Sequence, residues 1–201
     1  MDTPRDVSRE TEERLNAFTA TLRQWNRRIN LVAPASLDRL WERHILDSLQ
    51  LFALRPDRAR HWADLGTGGG FPGLVLAIIA ADHSPDLRFT LVESDRRKAA
   101  FLAAAARAAG VKPRILPERA ESIPSLQADV LSARALAPLT HLLAHAHRHL
   151  APDGIALFPK GVRHVEEIDE ALADWRFAVQ KIPSRTDPSG VLLAIDGVAR
   201  V

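Results

Sequence analysis

The chain has no cysteine among its 201 residues, which excludes a disulfide framework and any thiolate metal site. No apolar run reaches membrane-spanning length, and Met1-Asp2-Thr3-Pro4-Arg5 does not open the apolar core of a secretory leader. Excess charge is lacking as well: 27 Lys and Arg stand against 25 Asp and Glu, a formal +2. Net charge therefore commits the chain to no nucleic-acid partner. Internal repeats are absent, and compositional bias is confined to the alanine-rich stretch Ala99 to Ala109. These absences leave a soluble, cytoplasmic protein of one ordinary domain, with or without a short appendage.

What is present is concentrated in Asp64-Leu65-Gly66-Thr67-Gly68-Gly69-Gly70-Phe71-Pro72-Gly73, where five of the eight residues from Gly66 onward are glycine. The run comes after a short apolar segment, His61-Trp62-Ala63, and precedes a helix-forming one, Gly73 to Ala81. Strand, glycine turn and helix in that order form a cradle in which a nucleotide-like ligand approaches the main chain closely. Gly68-x-Gly70-x-x-Gly73 satisfies the dinucleotide pattern, so the glycines alone do not separate a nicotinamide cofactor from a methyl donor. Asp64 favours the donor. A carboxylate at the end of the strand repels a pyrophosphate and attracts the sulfonium and amino groups of S-adenosylmethionine.

Along the chain, Leu15, Phe18, Leu22, Trp25 and Ile29 mark one amphipathic helix from Ser8 to about Asn30, and a second is expected from a Ser36 cap to Phe52. After the linker Arg55-Pro56-Asp57-Arg58, short apolar runs alternate with helical ones. Strands are expected at 87–93, 114–116, 129–132 and 155–158, with helices at 95–109, 138–150 and 162–175. Two last strands, 177–182 and 191–195, flank a turn-rich connection too short for a helix, and read as an antiparallel hairpin. The expected fold is α/β: a Rossmann-like, mostly parallel seven-stranded sheet of the class I methyltransferase type, with that terminal hairpin. Residues 1–55 form an N-terminal helical extension and 56–201 the methyltransferase domain.

Other residues refine the site. Glu93 ends its strand twenty residues after Gly73, where an acid accepts both hydroxyls of a ribose, unless it is merely exposed. Asp95 reads as a helix cap. Ala120 and Glu121 come after a strand, at a position suited either to an adenine edge or to a capped turn. Ser132-Ala133-Arg134-Ala135 places arginine where amino-group methyltransferases carry an acid or amide; arginine is an ineffective base, so it grips an anion or a base oxygen instead. His141, His145 and His149 are spaced for one helical stripe, but with no cysteine and no completing carboxylate no metal is expected. The arginines Arg23, Arg27, Arg28, Arg39 and Arg43 make either a phosphate-facing surface or a solvated helix face.

Together Asn30-Leu31, Arg43-His44-Ile45-Leu46-Asp47-Ser48-Leu49, DLGTGGGFPG, LVESDRRKAAFL, RAES, SARA and Phe158-Pro159-Lys160-Gly161 resemble the RsmG family, also called glucose-inhibited division protein B. The resemblance runs from about residue 25 to 195. It implies a methyltransferase that uses S-adenosylmethionine and acts on a guanine N7 in 16S (small-subunit) ribosomal RNA, alone or within the small ribosomal subunit, as a monomer. By the same resemblance the donor lies against Gly66, Phe71, Ala120, Glu121 and Arg134, with Asp64, Gly68 and Glu93 completing its site. The family often has proline at the position of Gly69 and aspartate at that of Glu93. Arg43, His44 and Lys160 are candidate RNA contacts or structural bridges. Asp47 is either an acid that steadies the methylated purine or a partner of Arg43. No catalytic base is assigned, because guanine N7 has a lone pair and no proton to remove. A small-molecule methyltransferase with the same donor site is the first rival; a nicotinamide-dependent oxidoreductase and a noncatalytic RNA-binding assembly factor come after it.

Overall fold

The computed structural model describes residues 7–201; the segment Met1 to Arg5, on which the expectation about a leader falls, lies outside them. Helix α1 (Arg9–Asn26) is capped by Ser8, whose side chain accepts from Thr11 N, and buries Leu15, Phe18 and Leu22 completely. Beyond Asn26 the chain turns, with Arg28 N and Ile29 N donating to Trp25 O, and the Asn26 side chain accepts from Leu31 N at 2.9 Å and Val32 N at 3.0 Å. The expected continuous helix from Ser36 to Phe52 does not form. Pro34 opens a 3-10 turn (Pro34–Ser36), Ser36 donates back to Ala33 O instead of capping, and a π-turn (Trp41–Ile45) leads into the seven-residue helix α2 (Leu46–Phe52).

The sheet order is β3-β2-β1-β4-β5-β7-β6, with β1 His61–Leu65, β2 Arg88–Val92, β3 Arg114–Leu116, β4 Ala128–Ala133, β5 Leu150–Lys160, β6 Trp175–Pro183 and β7 Val191–Arg200. The first five strands pair in parallel, and β7 runs antiparallel to both β5 and β6. The terminal hairpin is as expected, though longer at both ends. Strand β5 begins at Leu150, ahead of the expected 155, and passes through Pro152-Asp153-Gly154; a register shift between Ala128 and Val130 accommodates them.

Between the strands lie α3 (Gly73–His83), α4 (Arg96–Ala108), α5 (Leu139–His149) and α6 (His164–Ala171). The last is shorter than expected, because Trp175 is buried and starts β6. Side chains alternate between the faces of β1: Ala63 and Leu65 pack toward α5 and α6, Trp62 toward α3. Helix α3 is apolar all round, with every residue from Gly73 to Ala80 buried, because α1 covers the side that the sheet does not. Leu15, Phe18 and Leu22 share one core with Leu74, Val75, Ile78 and Phe101. The chain reverses its progress across the sheet between β1 and β4, and the crevice at their carboxyl ends is where α/β sheets bind ligands.

Candidate methyl-donor cradle and adjoining basic cleft

The turn after β1 needs glycine for its backbone: φ is +65° at Gly66, +52° at Gly68 and +93° at Gly70, a region costly for other residues. Glu93, 6 % exposed at the end of β2, accepts from Gly68 N at 2.8 Å with Oε2 and from Asp95 N at 2.8 Å with Oε1. Each oxygen keeps a lone pair, and the two amides fix the carboxylate for a vicinal diol. Asp95 is the expected cap, accepting from Arg97 N and Lys98 N. A Cβ on Gly68 would meet nothing nearer than Gly66 O at 3.7 Å and Glu93 Oε2 at 4.0 Å, so space opens over the turn beside that carboxylate. A nucleoside with two free hydroxyls fits this cradle.

Asp64 does not stand at its mouth. It is fully buried under the turn, accepting from Ser132 Oγ at 2.5 Å and from Gly73 N at 3.2 Å. Trp62 Nε1 donates in turn to Ser132 Oγ at 2.9 Å. This chain of hydrogen bonds ties β1, β4 and the first residue of α3 together. Burial raises the Asp64 pKa to about 6, against the lowering effect of its Ser132, Thr67 and Gly73 hydrogen bonds. The carboxylate therefore has a structural role beneath the turn.

Arg134, at the end of β4, reaches back to the N-terminal segment. Its Nη1 donates to His44 Nδ1 at 2.8 Å and lies 3.5 Å from Asp47 Oδ2. His44 stacks on Phe71 with centroids 4.8 Å apart, and Arg134 Cζ lies 5.2 Å from the centre of the same ring. Burial first, then the charges of Arg134 and Arg43, depress the His44 pKa to about 4. Neutral His44 accepts at Nδ1, so its proton sits on Nε2, a buried atom without a hydrogen-bond partner. The Phe71 ring is 3 % exposed and also meets Phe18 edge-on at 5.4 Å, so that side chain belongs to the core. Asp47 does not pair with Arg43; its second oxygen accepts from Thr186 Oγ1 at 3.0 Å, in the loop between β6 and β7.

Beside Arg134 opens a cleft of about 820 Å³, walled by the cations Arg39, Arg43, Lys160 and Arg163, the acids Asp47, Glu167, Glu170 and Asp187, and Leu136. Neither Gly68 nor Glu93 lines it. The cradle and the cleft are neighbours that meet through Arg134 and Leu136, the latter touching the space above Gly66. Arg39 and Arg163 are paired with Glu42 and Glu166 at the surface. Lys160 is a structural bridge: 9 % exposed, it donates to Ala137 O at 3.0 Å and Glu167 Oε2 at 2.6 Å. Ala120 and Glu121 sit in a short turn after β3, on the flank of the cradle; the Glu121 side chain is 58 % exposed.

A seven-stranded sheet of this order, with a glycine cradle at its switch point and an acid at the end of β2, defines a class I methyltransferase. Two solved structures share that fold: a ribosomal protein L11 methylase from Lactobacillus delbrueckii subsp. bulgaricus (TM-score 0.60, 18 % identity, covering 75 % of this chain and 76 % of that one), and a TehB-like SAM-dependent methyltransferase from Corynebacterium glutamicum (TM-score 0.59, 15 % identity, 90 % and 99 %). The sequence is more specific. Residues 11–188 match the family model for rRNA small subunit methyltransferase G, and a protein of that name from Ruegeria sp. is 54 % identical over 98 % of this chain and 95 % of its own length. The chain belongs to the rRNA small subunit methyltransferase G family.

Ser132, Thr186 and Leu136 carry much of this geometry, and the sequence does not single them out. Ser132 lies within the SARA motif, but only its pairing with Asp64 across two strands reveals its use. Thr186 is 139 positions from Asp47, and no local pattern links them.

Proposed function

We propose that the protein methylates the N7 of a guanine in 16S ribosomal RNA, with S-adenosylmethionine as donor. The observation that carries this reading is the junction at Arg134, where a nucleoside cradle adjoins a cleft lined by both arginines and carboxylates, with Arg43 and Arg134 among its cations. Gly66 and Gly68 would hold the donor against their main chain, Glu93 would accept its ribose hydroxyls, and Ala120 and Glu121 would border its adenine. When bound, the donor supplies an electrophilic methyl group on a sulfonium. Guanine N7 needs no deprotonation to attack it, which agrees with an arginine rather than a base at the end of β4. The chain's contribution is then placement and exclusion of water.

On this reading Arg43, with Arg39 and Arg163 at the rim, contacts RNA phosphates, while Arg134, held by His44, lines the cleft beside them. Asp47, held by Arg134 and Thr186, is the carboxylate positioned to steady the cationic product. Residues 1–55 act as the extension that closes the acceptor side, and residues 56–201 carry the donor site. No helix among the described residues is long and apolar enough to cross a membrane; the enzyme would work in the cytoplasm on RNA or small subunits, as a monomer. The test is transfer of labelled methyl to ribosomal RNA from a strain lacking the gene. Arg134→Ala should lower transfer by roughly 100-fold; equal transfer in RNA-free extract would contradict the reading.

A further inference from the structure

Among the described residues no group of three or more potential metal ligands converges on the histidine stripe of α5. Its C-terminal end instead converges on the loop after β3. His149 Nε2 donates to Ala120 O at 3.0 Å, Arg148 Nη2 donates to Ile123 O at 2.7 Å, and His145 Nε2 lies 3.8 Å from Glu121 Oε1. Three side chains within one helical turn and a half thus hold three residues of the run 120–123.

The loop needs such support. Strand β3 has only three residues and pairs with β2 alone, at the edge of the sheet, so little sheet structure fixes the residues beyond Leu116. The turn Ala120–Ser122 is closed by Ser122 N donating to Arg119 O at 3.0 Å, and Ile123 anchors its far side in the core, 2 % exposed. The position of Ala120 and Glu121 relative to Glu93 is set from behind, by α5.

His149 is also a polar group in an apolar place. It is fully buried, and its Nδ1 has no hydrogen-bond partner. A buried nitrogen without a partner costs free energy that leucine would not. Packing alone does not call for imidazole there; the bond to Ala120 O does.

We infer that His149 and Arg148 are positioning residues for the methyl donor: they fix the turn at Ala120 and Glu121 against the adenine, and so set donor affinity without touching the donor. This rests on the donor site proposed above. Loss of one such hydrogen bond weakens donor binding by roughly five- to tenfold. Arg148 is exposed on the helix, so its replacement leaves the core intact and complements the buried site.

The experiment is titration of the full chain with S-adenosylhomocysteine, for wild type, His149→Leu, His149→Gln and Arg148→Met, with thermal melts of each. The leucine and methionine variants should bind roughly five- to tenfold more weakly, and His149→Gln, whose amide can donate to Ala120 O, should recover most of the affinity. In turnover the KM for donor should rise while kcat at saturating donor and the KM for RNA hold. Wild-type affinity in both His149→Leu and Arg148→Met would overturn the inference and leave the donor site standing. Failure of the wild type to bind S-adenosylhomocysteine would overturn both.

Discussion

Arg134 Nη1 donates to His44 Nδ1 at 2.8 Å across ninety positions of sequence, joining the end of β4 to the π-turn of the N-terminal segment. The arginine keeps the imidazole neutral, since the bond requires an unprotonated Nδ1 and like charges at this distance repel. Arg134→Ala should therefore raise the His44 pKa from about 4. Burial remains the larger cause, so the value should stay below the ordinary 6.5. An NMR titration of the imidazole resonances reads this directly, and an unmoved His44 would show that the two side chains do not meet in solution.

Asp64 and His44 give stability opposite dependences on pH. The folded pKa of Asp64, about 6, lies above its ordinary 3.8. Between those values the folded state holds a proton that the unfolded state has lost, so this group's contribution falls as pH rises. His44 lies below its ordinary value, and its contribution falls as pH drops from 6.5 toward 4. His61, His145 and His149, each lowered chiefly by burial, act in the same sense as His44. The opposing slopes overlap between pH 4 and 6. Asp64→Asn removes one of them and should steepen the acid loss of stability, measured by urea denaturation at a series of pH values; an unchanged slope would show that Asp64 does not titrate in this range.

Gly73 and Gly68 should fail differently when changed to alanine. A Cβ on Gly73 would lie 2.6 Å from Asp64 Cβ, Asp64 Oδ2 and Leu91 Cδ2, inside the packed junction of β1 and α3. Gly73→Ala should cost about 1–3 kcal/mol of stability. At Gly68 the surroundings are open, and the backbone at φ +52° costs alanine about 1–2 kcal/mol. There the methyl group enters the proposed donor space, so S-adenosylhomocysteine binding should be lost well beyond the change in stability. Paired denaturation and binding curves separate the two effects.

Ala135, next after Arg134, has φ +51°, a left-handed backbone on a residue with a Cβ. Strain of this kind gathers at functional sites. Ala135→Gly should stabilise the fold by about 0.5 kcal/mol, the relief of strain being offset in part by the greater freedom of glycine when unfolded. A higher urea midpoint with slower methyl transfer is the expected pair of results.

The sheet was legible because its signals are local: apolar runs of strand length, glycine where φ is positive, and a turn too short for a helix before β7. The place of Glu93 beside the glycine turn was legible for the same reason, since its distance from the turn is set by one strand–helix–strand unit. Asp64 was misread because alternation along β1 depends on which face the turn leaves exposed, and its partner Ser132 comes from another strand. Of the two readings of Asp47, the pairing with Arg43 fails because Ser36 does not cap and the π-turn breaks the regular helical phase between the two residues. Of the two readings of Lys160, the structural bridge is the one whose partner is seen: Glu167, seven positions on.

The most direct test is a map of N7-methylguanosine in 16S ribosomal RNA from cells with and without the gene. The account predicts one N7-methylguanosine present with the gene, absent without it, restored by the wild-type chain and not by Arg134→Ala. An identical map in both strains would contradict it.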